Sequence, residues 1–287
     1  MTTSSPSTSA PSAGVLGLGI IGSRVARRLI SAGYSPSLWN RTARDFEGLP
    51  ATLAHPAAVA AQADVLQIFV FDDAALRQTI EALLPALTPE HILLNHSTVS
   101  PETVRQLAKE VAESGAVLLD APFTGSRDAA AQGKITYYVS GCPNALERTR
   151  PVLAASATSI VPLGDIGQAS AIKIATNIIA AAATVSLAEA MNLLRAQGID
   201  PQVLATALES NAARSGVTDL KMPCMLDQDF APRFSARNLR KDLELACDLA
   251  DEGQASLTHA MARLFTKACQ DGLGDEDFSA VVKVTNS

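Results

Sequence analysis

The chain has 287 residues, which is enough for one large domain or two smaller ones with a sizeable apolar core. Hydrophobic residues make up 47% of the chain and aromatic residues 4%, a balance typical of helix-rich globular proteins. The net charge of −6 argues against a general nucleic-acid-binding surface. A local cluster of Arg and Lys can still bind an anionic substrate.

The cysteines and histidines are not spaced like metal ligands. None of the four cysteines forms a C-x-x-C pair, and the four histidines lack the spacing of a metal site. We therefore expect no metal site, and free thiols in a reducing, cytoplasmic compartment.

The N-terminus and the apolar runs bear on targeting. Residues 1–12 are rich in Ser, Thr and Pro and lack the basic and apolar regions of a signal peptide, so a disordered tail is expected. The apolar run closest to a membrane span, 175–188, is short and flanked by Lys173 and Glu189, so no membrane association is predicted.

A glycine motif opens the folded part of the chain. An apolar segment from Gly14 runs into Gly17-x-Gly19-x-x-Gly22, and an amphipathic helix pattern follows at once. Such glycines permit a tight turn, close approach of a pyrophosphate and close packing of helix on strand, while the helix N-terminus attracts phosphate. The motif predicts a dinucleotide-binding fold.

The residues after the second predicted strand, 35–39, indicate which dinucleotide binds. An NAD-binding site usually carries Asp or Glu there to hold the ribose 2′-hydroxyl. This chain has Asn40, which is neutral, and Arg41, whose planar cation suits a 2′-phosphate. The sequence therefore predicts NADP(H) as the cofactor.

Strand and helix patterns alternate up to residue 164. Further strands are expected at 64–70, 91–95, 116–120, 135–140 and 159–163, and helices at 56–63, 73–84, 101–114 and 143–153. Alternation of this kind predicts a mainly parallel sheet, which the segment 159–163 is expected to close. Thr124, Gly125, Ser126 and Arg127 follow a strand, and the segment fits a ligand loop and an ordinary loop equally well.

Beyond residue 164 the pattern is helical, with helices expected at 168–197, 201–210, 238–252, 256–271 and 276–283. The predicted organisation is a tail (1–12), an NADP-binding Rossmann-type α/β domain (13–164) and an all-helical domain (165–287). The stretch 174–187 is apolar nearly all round, so it must be buried by its own domain or by a second subunit. Lys173 and Asn177 share one helix face, but a lysine there commonly extends to solvent.

Four motifs in order resemble the β-hydroxyacid dehydrogenase family. They are the three glycines, Asp120-Ala121-Pro122 leading to Thr124-Gly125, Gly167 followed by Lys173 and Asn177, and Phe234 followed by Lys241-Asp242. The resemblance spans almost the whole chain from Gly14. It implies a 6-phosphogluconate dehydrogenase-like fold, an α/β domain followed by an all-α substrate and dimerisation domain.

The resemblance also implies residue roles. Lys173 is the expected general acid/base and Asn177 its partner at the substrate oxygen. A small carboxylated carbonyl or hydroxy substrate is expected at Thr124, Gly125, Ser126, Phe234, Lys241 and Asp242. The expected cofactor contacts are Gly17, Leu18, Gly19, Ile20, Ile21, Gly22, Asn40, Arg41, Thr42, Phe69, Val70, Thr98 and Lys241. A homodimer or homotetramer is implied as well.

Departures from the family pattern bear on the substrate. Phe123 replaces a common valine, Thr124 a common serine, and Asn95-His96 stands where an Asp and a small or apolar residue are usual. Gly125-Ser126-Arg127 resembles the Gly-Ser-Lys of the glyoxylate/succinic semialdehyde reductase branch, which prefers NADPH.

Three alternatives remain open. Imine reductases share the fold but commonly carry Asp or Tyr in place of Lys173. An NAD-dependent 3-hydroxyisobutyrate-type dehydrogenase is disfavoured by Asn40-Arg41. A non-catalytic NADP-binding module would be expected to have lost Lys173 or Asn177, and both are present.

Overall fold

The computed structural model describes residues 11–42, 45, 46, 48–250 and 253–285. The chain divides between Lys173 and Ile174 into two compact units, called here the N-terminal and the C-terminal unit. Positions 1–10 of the predicted tail lie outside the described residues. Ser12 hydrogen-bonds to Asp64, its Oγ lying 2.7 Å from the carboxylate.

A parallel five-stranded sheet forms the centre of the N-terminal unit, as the alternating pattern predicted. Its strands in chain order are β1 (Ala13–Leu16), β2 (Ser37–Trp39), β3 (Val65–Ile68), β4 (Ile92–Asn95) and β5 (Val117–Asp120). Their spatial order is β2-β1-β3-β4-β5, so the chain reverses its direction of travel after β2. A ligand crevice is expected at such a reversal, outside the carboxyl ends of the strands.

Helices accompany this sheet, and apolar cores cover both of its faces. The helices are α1 (Gly22–Ser31), α2 (Pro56–Ala60), α3 (Asp73–Leu83), α4 (Pro101–Ala112), α5 (Arg127–Ala131) and α6 (Pro143–Ala154). Val15 and Leu16 are fully buried and, being neighbours on one strand, belong to two different apolar cores. Asp72 caps α3, accepting a hydrogen bond from the backbone N–H of Ala75.

The expectation that residues 159–163 close the main sheet was wrong. They belong to a separate sheet made of β6 (Phe123–Thr124), β7 (Ile135–Val139) and β8 (Ala157–Pro162), in the order β6-β7-β8. β6 pairs antiparallel with β7. The link between them, Gly125 to Lys134, is too short for the crossover that a parallel pair needs. Neither β6 nor α5 was predicted.

The C-terminal unit is helical, as expected. The helices are α7 (Gln168–Ala196), whose first turns belong to the N-terminal unit, α8 (Gln202–Leu208), α9 (Gly216–Leu226), α10 (Ala236–Leu249) and α11 (Ser256–Gln270), followed by a short 3-10 helix (Phe278–Lys283). Phe265 and Leu243 are fully buried in its core. The prediction missed α9, although Ser215 and Thr218 form a capping box at its start.

Helix α7 exposes part of its apolar surface in the single chain. Ala181, Ala188 and Met191 are buried, while Ile179 is 68% exposed. By length and composition α7 is the one helix among the described residues that could span a membrane, and 39% of its most apolar window is buried. All four cysteines are free thiols.

Candidate active site

The glycine loop joins β1 to α1 at the carboxyl edge of the main sheet. Gly17 has φ of +95°, and a side chain there would collide with the carbonyl of Phe69. A side chain at Gly22 would collide with the carbonyl of Gly17. The first turn of α1 has no side-chain cap, and a side chain at Gly19 would meet no atom within 4 Å, so the backbone of the loop is open to close approach. The loop therefore fits the pyrophosphate of a dinucleotide.

Asn40 connects the end of β2 to this loop. Its Oδ1 accepts a hydrogen bond from the N–H of Leu18 at 2.8 Å, and its Nδ2 donates to the carbonyl of Thr42 at 2.8 Å. Arg41 and Thr42 are exposed beside it. Many NAD-binding sites carry an acid at this position. Here the position holds Asn40, whose amide is hydrogen-bonded to the backbone on both sides, and the next residue is Arg41.

The next two cofactor segments are joined to each other. Phe69 and Val70 follow β3, and Thr98 follows β4. The N–H of Val70 donates to the Oγ of Ser97 at 3.0 Å, and the N–H of Ser97 donates to the Oδ1 of Asn95 at 3.0 Å. This short network fixes both segments at the same edge of the sheet. Sequence reasoning had not assigned Ser97 a role.

The expected substrate segment follows β5. Thr124 and Gly125 are exposed, and Gly125 has φ of +145°, a conformation that side-chain-bearing residues rarely adopt. The Oγ of Ser126 caps α5 by accepting from the N–H of Ala129 at 3.2 Å. Arg127 pairs with Asp128 at 3.1 Å. Two hydroxyls and exposed backbone are therefore available to a carboxylate here.

Asp120 fastens the start of α7 to the sheet. Its Oδ2 accepts from the N–H of Ser170 at 2.7 Å, and its Oδ1 accepts from the Ser170 hydroxyl at 2.9 Å. The Oγ of Ser140 accepts from the N–H of Ala169 at 3.1 Å. Lys173 follows Ser170 by three residues and is half-buried. Asp120 and Ser140 thus fix the turn of helix that carries the expected acid/base.

Burial governs the protonation of Asp120. It raises the pKa of this carboxyl to about 6, against the opposing effect of hydrogen bonds from Ser170 and Asn95. Sequence reasoning named Asp120 only as part of a motif and missed Ser140 and Ser170. Both residues act through long-range contacts: Ser140 bonds to a residue 29 positions away, and Ser170 to a residue 50 positions away. No local sequence pattern indicates such contacts.

Three expected residues meet within the C-terminal unit. The Nδ2 of Asn177 donates to the Oδ2 of Asp242 at 2.6 Å, and the Nζ of Lys241 lies 2.8 Å from the Oδ1 of Asp242. Asn177 and Asp242 are buried, with 5% and 2% of their surfaces exposed. The Lys241 cation and the Asn177 amide therefore both contact the Asp242 carboxylate.

Phe234 is placed by a buried acid. Its N–H donates to the Oδ2 of Asp277 at 3.2 Å, and its ring meets Phe278 edge-on with centroids 5.8 Å apart. Asp277 in turn pairs with the buried Lys221 at 2.8 Å. The half-buried Phe234 ring lies against the core of the C-terminal unit, at the entry to α10.

The structure groups the expected residues into two sets, one in each unit. Within the N-terminal unit, all five loop segments after β1 to β5 lie along one edge of one sheet. Within the C-terminal unit, Asn177, Lys241 and Asp242 are in contact, whereas Phe234 has its own anchor. Among the described ranges there is no group of three or more His, Cys, Asp or Glu that could hold a metal ion.

A doubly wound sheet with a glycine loop, followed by a helical unit, is the architecture of a dinucleotide-binding protein. One family model, the NAD binding domain of 6-phosphogluconate dehydrogenase, matches residues 12–164. A second, NAD-binding of NADP-dependent 3-hydroxyisobutyrate dehydrogenase, matches residues 167–285.

Individual relatives agree with these matches. The chain is 30% identical to glyoxylate/succinic semialdehyde reductase 2, chloroplastic, of Arabidopsis thaliana, over 95% of this chain and 78% of the relative. It is 32% identical to L-threonate dehydrogenase of Cupriavidus necator, over 94% and 95% of the two chains. The structure of Mycobacterium tuberculosis 3-hydroxyisobutyrate dehydrogenase with L-serine matches with a TM-score of 0.88 at 26% identity, over 97% and 100%.

The chain belongs to the β-hydroxyacid dehydrogenase family, whose members are NAD(P)-dependent oxidoreductases. The expected family and the expected fold class, an α/β nucleotide-binding domain with a helical C-terminal domain, are confirmed.

Proposed function

We propose that this protein is an NADP(H)-dependent reductase of small aldehyde or keto acids, such as glyoxylate or succinic semialdehyde. The observation that carries the cofactor part is the Asn40 amide, which is bonded to Leu18 and Thr42 where a ribose-binding acid would otherwise stand. The neighbouring Arg41 is exposed and offers a planar cation to a 2′-phosphate.

The loop segments of the N-terminal unit fit the bound cofactor. The glycine loop and the first turn of α1 would hold the pyrophosphate, and the backbone at Phe69 and Val70, with Thr98, would hold the nicotinamide half. Bound NADPH supplies a hydride to the carbonyl carbon of the substrate.

Lys173 is the proposed proton donor. Its ammonium would protonate the substrate oxygen as negative charge develops there, and in the reverse direction its amine would take the hydroxyl proton. Asp120 and Ser140 hold the helix turn just before Lys173, so the lysine starts from a fixed backbone. Asn177 would contribute from the next turn of the same helix, with its amide oriented by Asp242.

The substrate carboxylate would bind at the segment after β5. Thr124 and Ser126 bring hydroxyls, and Gly125 brings an accessible N–H. Lys241 and Phe234 are further residues proposed to bind the substrate. The names of two relatives, a glyoxylate/succinic semialdehyde reductase and an L-threonate dehydrogenase, support a small hydroxy, keto or aldehyde acid as the substrate.

The test is oxidation of NADPH and of NADH, followed at the nicotinamide absorbance, with glyoxylate, succinic semialdehyde and methylmalonate semialdehyde. The proposal predicts turnover with at least one acid and a clear preference for NADPH. Cofactor binding without turnover on any of them would refute the proposed reaction. Equal rates with both cofactors would refute the role given to Arg41.

We also propose a homo-oligomer built on the C-terminal unit. Only 39% of the most apolar window of α7 is buried in the single chain, and Ile179 and Leu193 on this helix are 68% and 63% exposed. A helix that is apolar nearly all round needs a partner to cover it, and a second copy of the chain is the proposed partner. The run around Ile179 on α7 is the proposed centre of that interface.

A further inference from the structure

Four rings form a cluster at the carboxyl edge of the main sheet. We call Phe69, His96, Phe123 and Tyr137 the ring cluster. His96 stacks on Phe69 with centroids 4.5 Å apart and planes 24° apart, and it meets Tyr137 at 4.8 Å. Phe123 meets Tyr137 edge-on at 6.4 Å and Phe69 at 6.2 Å. His96 and Tyr137 are buried at the base, while Phe69 and Phe123 are partly exposed at the rim.

The His96 ring is held by hydrogen bonds at both nitrogens. Its Nδ1 lies 2.6 Å from the carbonyl of Ala121, which can only accept, so Nδ1 carries the proton. Burial lowers the pKa of His96 to about 3, against the opposing effect of the Ala121 carbonyl, so the ring is neutral and its Nε2 has only a lone pair. Nε2 therefore needs a donor.

The side-chain amide of Gln67 supplies this donor. It lies 3.1 Å from Nε2, with its oxygen placed toward the ring and its nitrogen without a partner among the described residues. Exchanging the two ends of the amide turns this contact into an N–H donation and removes the unpaired buried donor. The neutral His96 ring is then fixed in its plane by Ala121 on one side and by Gln67 on the other.

The ring cluster joins the two segments between which hydride transfer takes place. Phe69 begins the segment after β3 that is proposed to hold the nicotinamide half. Ala121, whose carbonyl His96 binds, leads through Pro122 to Phe123 and the proposed carboxylate site at Thr124 to Ser126. His96 touches the first segment by stacking and the second by its hydrogen bond.

We propose that His96 is a positioning residue that sets the spacing between these segments. By fixing Phe69 and Tyr137, the two rings that meet Phe123, it keeps the Phe123 ring at the rim and restricts the substrate to acids without a branch beside the carbonyl. This inference rests on the proposed function. A smaller side chain at position 96 would leave space between Phe69 and Tyr137. These two rings would settle inward, Phe123 would follow them, and a branched substrate would gain room.

The experiment compares His96→Asn with Tyr137→Phe. The Asn amide can replace Nδ1 as donor to Ala121 but removes the ring. Tyr137→Phe keeps the ring and removes only the hydroxyl, which hydrogen-bonds to Ser156 at 2.9 Å. The readout is the ratio of kcat/KM for malonate semialdehyde to kcat/KM for methylmalonate semialdehyde, which differs from it only by a methyl branch beside the carbonyl. This ratio does not depend on the fraction of folded enzyme.

We expect His96→Asn to lower this ratio about tenfold, as expected for a lost methyl-sized steric restriction, and Tyr137→Phe to leave it within about twofold. Phe123→Val, at the partly exposed rim, is the second variant and should shift the ratio in the same direction even where His96→Asn folds poorly. An active wild type with the same ratio in all variants would overturn the inference alone. A wild type that reduces no acid would overturn the proposed function and this inference with it.

Discussion

Acid should destabilise the N-terminal unit through His96. The ring is 2% exposed and burial lowers its pKa to about 3, whereas an unfolded histidine titrates near 6.5. The folded state therefore binds fewer protons than the unfolded state between these two values. The contribution of the neutral His96 ring to the free energy of unfolding is fully present above pH 6.5 and is lost as the pH falls toward 3.

The magnitude follows from the two pKa values. Each pH unit within the window is worth about 1.4 kcal/mol, so pH 5 lies about 1.5 units inside it and costs about 2 kcal/mol relative to pH 8. Asp120 acts in the opposite direction. Burial raises its pKa to about 6, above its unfolded value, so its protonation stabilises the folded state as the pH falls from 6. The wild-type profile alone therefore understates the effect of His96.

A variant isolates the histidine. Urea unfolding of the wild type and of His96→Asn is measured at pH 8 and pH 5 by the fluorescence of Trp39, the single tryptophan, which lies on β2 of the same unit. The free-energy difference between the two proteins should be about 2 kcal/mol larger at pH 8 than at pH 5, because the contribution of Asp120 cancels.

Tyr137→Phe serves as the control, since it retains the His96 ring and its two hydrogen-bonding neighbours. Its difference from the wild type should be the same at both pH values. A difference between the wild type and His96→Asn that does not change with pH would mean that His96 titrates normally, and it would refute the buried neutral ring described above.

Three further predictions concern the cofactor, the helix start and the interface. Arg41→Ala should weaken NADPH binding about tenfold or more, because a charge-assisted contact to phosphate contributes about 1.5–3 kcal/mol, and it should leave NADH binding within about twofold. Fluorescence titration measures both affinities. Equal losses of affinity for the two cofactors would contradict the prediction. Ser170→Ala removes the hydrogen bond from the Ser170 hydroxyl to Asp120 and should lower the free energy of unfolding by about 1–3 kcal/mol. The substitution should also lower kcat by a larger factor than it changes the KM for NADPH. Urea unfolding and kcat that both match the wild type would refute this prediction. Ile179→Glu should shift sedimentation toward the monomer, and an unchanged profile would place the interface elsewhere.

Most of the predictions that agree with the structure came from local sequence motifs. The glycine motif can be recognised within six residues of the sequence. Its φ of +95° at Gly17 is local, whereas the close approach of Gly17 to the Phe69 carbonyl joins residues 52 positions apart. The parallel sheet followed from alternation of strands and helices, because that pattern permits few arrangements.

The interpretation failed where distant residues decide the structure. β6 has two residues and exists because β7 pairs with it, and no local pattern marks it. The contact between Asp120 and Ser170 joins residues 50 positions apart. His96 attracted notice only as a departure from a family pattern, since nothing in its neighbours indicates that Phe69 and Tyr137 enclose it.

Lys173 provides the most direct test of the central claim. Lys173→Ala removes the proposed proton donor, and Lys173→Arg keeps the positive charge in a group that does not give up its proton. NADPH-dependent turnover and NADPH binding are measured on both variants and on the wild type. We expect kcat to fall at least about a hundredfold in both variants, while the Kd for NADPH stays within about twofold. Turnover that survives in either variant, or NADPH binding that is lost together with it, would contradict the role of Lys173 as acid/base.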